Sequence, residues 1–150
     1  MEISKIFSNQ ILGTALLAWA LAQFLKLPIG YFSTHQWNWS LLLEPGGMPS
    51  SHSALVTAIA HAIGLWIGFE SALFALGFIL AMIVIYDATG IRRQAGLHAG
   101  VINQIIADLA SGHRLKGQEL SEVLGHTPLE ALGGVVLGLL VAQVSWWILR

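Results

Sequence analysis

The stretch EPGGMPSSHSALVTAIAHAIGLWIGF, Glu44 to Phe69, decides the fold. From Ser53 onward it is apolar enough to lie in lipid. Before that it is a glycine- and proline-rich turn carrying two serines and a histidine. Pro49 stops any helix arriving from upstream, and a serine after it is a good N-cap, so a helix starts at Ser50 or Ser51 with His52 in its first turn. Capping accounts for one serine. It gives the second serine and the histidine nothing to do.

The rest of the chain has the same character. Of its 150 residues, 55% are hydrophobic and 10% charged, and the mean hydropathy is +0.71. Soluble domains carry roughly 25% charged residues, so the composition is that of an integral membrane protein. The net charge of −1 gives no electrostatic case for nucleic acid. The absence of cysteine excludes disulfides, thiol catalysis and thiolate metal sites.

Working outward, four spans predict a single all-α membrane domain over residues 1–150: about Ile6–Leu25, Ser53–Phe69, Ser71–Tyr86 and Leu129–Leu149. Each approaches the roughly 20 residues that cross a hydrocarbon core. The first reads as a retained helix, with a cleaved signal peptide as the alternative. The second and third are joined only by Glu70, so they form a tight hairpin. Residues 27–50 hold Pro28, Pro45 and Pro49 and cannot be one helix. In LHAGVINQIIADLAS, residues 97–111, Leu97, Val101, Ile105 and Leu109 recur at four-residue spacing, which predicts an amphipathic helix at the membrane surface. Gly64 with Gly68, and Gly134 with Gly138, have the small-xxx-small spacing that lets helices approach closely in lipid.

Four crossings put both long connections on one side. That side carries Lys26, Arg92, Arg93, Arg114 and Lys116, against Lys5 and Arg150 on the other. The positive-inside rule places the five in the cytoplasm, in a bacterial inner membrane or a plastid-type membrane.

The chemistry collects on that same side. In GHTPLEALGG, residues 125–134, Thr127, Pro128 and Glu130 form a capping box with proline at the first helical position, leaving His126 just outside the helix. Glu130 has a sufficient structural duty as the cap. His126 and His52 then stand at the N-termini of two helices, where unpaired N–H groups and the dipole favour an anion. DATGIRRQAG, residues 87–96, adds Arg92 and Arg93, whose planar forks suit phosphate oxygens. Lys26 adds a cation from the first span, and Asp87 either pairs with an arginine or lines the site. A neutral imidazole can attack phosphorus, a carboxylate can fix its tautomer, and a second histidine can protonate the leaving oxygen. No metal or other cofactor is required. A metal site built from His52, Asp87, His126 and Glu130 is the less favoured reading, because the nearby arginines repel a cation. His35, His61, His98 and His113 have no evident partner, and His61 is an ionisable group deep in a span.

In order, GGMPSSHSA, DATGIRRQAG and LGHTPLEALGG resemble the divergent, small bacterial and plant branch of the type 2 phosphatidic acid phosphatase superfamily, which also contains vanadium haloperoxidases. The resemblance runs from Lys26 to Gly138. It implies a helical bundle with its site at the membrane surface, and a phosphatase acting on a lipid phosphate monoester through a phosphohistidine. It implies His126 as nucleophile, Glu130 as its orienting carboxylate and His52 as general acid. Lys26, Ser50, Ser51, Arg92 and Arg93 would be phosphate ligands. The chain departs from the pattern in three ways. Ser51 replaces a glycine, the first motif lacks its Arg-Pro pair, and Arg93 lies 33 positions before His126 rather than about half a dozen. A catalytically degenerate lipid-phosphate binder or membrane-protein partner is therefore the alternative. The partners expected are a lipid phosphate, membrane lipids and, from the glycine faces, a second copy of the chain.

Overall fold

The computed structural model describes residues 4–42, 46–110 and 125–150. Among them there is no strand. The helices are α1 (Ser4–Phe7), α2 (Gln10–Thr34), α3 (Ser51–Ile67), α4 (Ala72–Thr89), α5 (Ile91–Ala110) and α6 (Pro128–Leu149), with a 3-10 turn at Trp39–Leu42 between α2 and α3. Three helical stretches, starting at Gln10, Ala72 and Pro128, are long and apolar enough to cross a membrane. The fourth apolar helix, α3, has 17 residues, about 25 Å at 1.5 Å per residue. The molecule is an all-α membrane protein, with four apolar helices and an amphipathic fifth among the described residues.

The short helix is the central one, packed against α2, α4 and α6. Its core face is alanine: Ala54, Ala58 and Ala62 meet Ala18 and Ala22 of α2 and Ala142 of α6, all essentially inaccessible. The large apolar side chains point the other way; Leu76, Ile83 and Leu140 are each more than half exposed. Lipid tails are as apolar as leucine, so burial of large side chains gives helices little reason to associate there, whereas close backbone approach does. Gly134 and Gly138 make that approach possible. A Cβ on Gly134 would fall on the Ser50 carbonyl, and one on Gly138 would lie 2.6 Å from Ala54 O and 3.0 Å from Ala58 N.

Three expectations need correction. The glycine pair Gly64 and Gly68 does not form a helix-packing face. Gly64 lies under the Phe69 ring, and Gly68, with φ 118°, is the residue on which α3 ends. Spacing alone does not say whether a helix continues. The first long helix runs past Leu25 and through Pro28 to Thr34. Proline forfeits one backbone bond, but unwinding would leave several groups unpaired at the membrane, so the helix carries on. It ends at His35, in the left-handed region at φ 54°, and the chain then folds back along α2. There Gln23 Nε2 donates to Leu42 O at 2.8 Å, and Trp37 stacks on Tyr31 at 4.8 Å. Finally, α5 starts at Ile91 rather than Leu97, one residue beyond the end of α4 at Gly90. Its stripe of Leu97, Val101, Ile105 and Leu109 is exposed, and among the described residues it packs only on α4.

Candidate active site

Three helix ends meet at one face of the bundle. Ser50 is the N-cap of α3, with β-region backbone, and its Oγ accepts from Ser53 N–H at 3.3 Å and from Ser53 Oγ at 3.0 Å. Thr127 is the N-cap of α6 and completes the capping box: Glu130 N–H donates to Thr127 Oγ1 at 3.3 Å, and Thr127 N–H donates to Glu130 Oε2 at 3.0 Å. Two backbone bonds lock these ends together. Ser50 N–H donates to Glu130 O, and His126 N–H donates to Ala88 O near the end of α4, both at 2.9 Å.

The capping carboxylate makes a second contact. The same Glu130 Oε2 lies 3.2 Å from His126 Nδ1. A carboxylate only accepts, so it holds the imidazole proton on Nδ1 and puts the lone pair on Nε2. The carboxylate that caps α6 is therefore also the one in contact with His126. Replacing Thr127 by alanine removes one half of the box and should lower stability by about 1 kcal/mol; thermal unfolding in detergent checks this.

His126 is buried, at 6% exposure, and lines a small polar pocket with His52, Asp87, Ala88, Val84, Gly46 and Gly125. The pocket holds about 40 Å³. One water needs about 10–15 Å³, so the space suits about three waters. His52 reaches it from the first turn of α3, Asp87 from the last turn of α4, and His126 from the turn into α6. Asp87 thus lies at the site.

The other predicted residues stand differently. Lys26 is 3% exposed. Its stem would touch a Cβ on Gly47 at 3.8 Å. It is not among the residues that line the pocket. Ser50 and Ser51 are buried at 0% and 2% and do not line the pocket. Arg92 and Arg93 occupy the first turn of α5, and their side chains lie outside the described residues. So do His113, Arg114 and Lys116. Among the described residues no three His, Asp or Glu side chains are grouped as metal ligands would be.

A model of the divergent PAP2 family matches residues 7–141. The chain belongs to that family. A relative in Bacillus subtilis (strain 168), the uncharacterized membrane protein YuiD, is 38% identical over 151 residues, covering 93% of this chain and 96% of its own. No solved structure matches the chain.

For this member of the divergent PAP2 family, sequence reasoning missed the backbone parts of the site. Ala88 supplies a carbonyl, and Gly46 and Gly125 supply walls without side chains. Gly125 has φ 93°, where a side chain would be strained. A glycine directly before His126 was the available signal for that turn. Nothing local pointed to Ala88.

Proposed function

We propose that the protein is a membrane-embedded phosphatase that hydrolyses a lipid phosphate monoester through a phosphohistidine on His126. The observation that carries the reading is the contact between His126 Nδ1 and Glu130 Oε2, 3.2 Å apart, at a pocket that also receives His52. Family membership supports a phosphatase-related site, and the apolar bundle supports a substrate that arrives within the bilayer.

In the first step His126 Nε2 attacks phosphorus as the bond to the lipid alcohol oxygen breaks. That oxygen takes a proton from His52, and the lipid alcohol leaves. Glu130 stabilises the imidazolium that forms. In the second step water attacks the phosphohistidine and His52 recovers a proton from it. The P–N bond breaks, inorganic phosphate leaves and His126 is neutral again. The N-termini of α3 and α6 favour the charge on phosphate, and Arg92 and Arg93 enter the reading as further phosphate ligands. Lys26, Ser50 and Ser51, buried and outside the pocket lining, enter it as supports of the helix ends that form the cradle. A cytoplasmic site favours glycerolipid phosphates made on that face, and a second copy of the chain remains the proposed protein partner.

The assignment of His52 has a distinctive test. His52→Ala should lower phosphate release from an alkyl phosphate by about 10²–10⁴-fold, the usual contribution of a general acid. It should lower release from nitrophenyl phosphate far less, because that leaving group needs no proton. An equal loss on both substrates would give His52 a binding role instead. The degenerate-binder reading is favoured by the buried position of Ser50, the motif serine, which stays out of the pocket lining. Saturable headgroup binding with no phosphate release from any lipid phosphate tested would establish it.

A further inference from the structure

We propose that the apolar cavity next to the polar pocket holds one hydrocarbon chain of the lipid whose phosphate is cleaved, and that it selects substrates by chain length. The inference rests on the phosphatase reading above. The cavity has a volume of about 290 Å³ and lies between α3, α4 and α6, where Ala60, Met82, Ile85, Val135 and Leu139 line it.

Position ties it to the site. The helices that bound the polar pocket, α3 and α4, also bound the cavity, and along α4 the two linings are adjacent, Val84 belonging to one and Ile85 to the other. A phosphate among His52, Asp87 and His126 therefore has an apolar space within about one helical turn of it along α4. Depth fits as well. From Asp87 down to Phe74, the deepest α4 residue of the lining, the axial distance is about 19.5 Å at 1.5 Å per residue. Half a hydrocarbon core is about 15 Å. The cavity therefore reaches through one leaflet and a few ångström beyond, deep enough for the chain of a lipid with its headgroup at the site.

The space is open on one side and closed at the far end. Met82, Phe78 and Leu139 are 58%, 51% and 41% exposed, and α4 and α6 touch only sparsely, so a chain can enter sideways from the bilayer. At the far end the Phe69 and Phe74 rings meet edge to face at 5.1 Å, with the His61 ring 5.8 Å from Phe69. His61 Nε2 lies 3.3 Å from Gln143 Oε1, so its polar edge is satisfied within the bundle. This gives the intramembrane histidine a place in the wall that ends the groove.

The chain has no cysteine, which permits a test after folding. Leu139→Cys is purified, and half is coupled to a bulky aromatic maleimide. Phosphate release is measured for phosphatidates of short and long acyl chains, with Leu140→Cys, on the lipid-facing surface, treated in parallel. Coupling at position 139 should raise KM for the long-chain substrate by about tenfold or more, since each methylene kept out of an apolar site costs several-fold in binding. The short-chain substrate and the position-140 control should change little. Equal losses for both chain lengths, or no loss for either, would overturn the groove. If the unmodified protein releases no phosphate, the phosphatase reading fails, and the groove is tested separately with a long-chain phosphatidate carrying a chain-terminal diazirine. Labelling concentrated on Phe78, Met82 and residue 139, and removed by coupling, supports a bound chain. Labelling spread evenly over Leu76, Ile83 and Leu140 refutes it.

Discussion

His126→Ala should abolish phosphate release from lipid phosphates, a fall on the order of 10³-fold or more, while the protein stays folded. The reason is positional. His126 is held by three contacts of different kinds: its N–H on Ala88 O, its Nδ1 on Glu130, and its place before the Thr127 cap. The variant loses the ring's contacts, the one to Glu130 among them, whereas the backbone bond to α4 and the capping box do not depend on the ring. Phosphate release and thermal unfolding of the same preparation separate the two effects. Activity near that of the unaltered protein would remove His126 from the mechanism, whereas a collapse of both would make it a structural residue. Glu130→Gln is not an equivalent variant, because it disturbs the cap and the histidine together.

The second large effect is on stability. Gly138→Leu should lower it by about 3 kcal/mol or more, because the side chain has nowhere to go. The atoms it meets first are backbone, Ala54 O and Ala58 N, and these move only if α3 and α6 separate. Since α3 carries His52 and α6 is entered through His126, separation also takes the site apart. Gly13→Leu is the control: a Cβ there has nothing within 4 Å, and the change should stay within about 0.5 kcal/mol. Unfolding of both variants in detergent decides the matter. Equal stability would mean that α3 and α6 are not held by close backbone contact.

The parts of this protein that could be read from its sequence are those fixed within one turn of helix. Thr127 and Glu130 are three residues apart, so their capping box follows from local geometry, and His126 and Glu130 are four apart on the same face. Ser50 after Pro49 fixed the start of α3 in the same way. The local rule failed at Pro28, where the cost of unpaired backbone at the membrane outweighs one lost bond. It failed again at Gly64 and Gly68, whose spacing matched a packing motif although the helix was about to end. What no local pattern contains is tertiary placement: Asp87 and His52 at one pocket with His126, and the Ala88 carbonyl on the His126 N–H. Those residues are separated by tens of positions and meet only because small side chains let α3 sit at the centre of the bundle.

The most direct measurement is of the covalent intermediate. Purified protein is mixed with a lipid phosphate labelled in its phosphoryl group and quenched in alkali, which preserves phosphohistidine, and the label is mapped by mass spectrometry. Label on His126, absent from His126→Ala and lost when turnover ends, is the predicted result. Phosphate release with no label on His126, or with the label on His52, would contradict it.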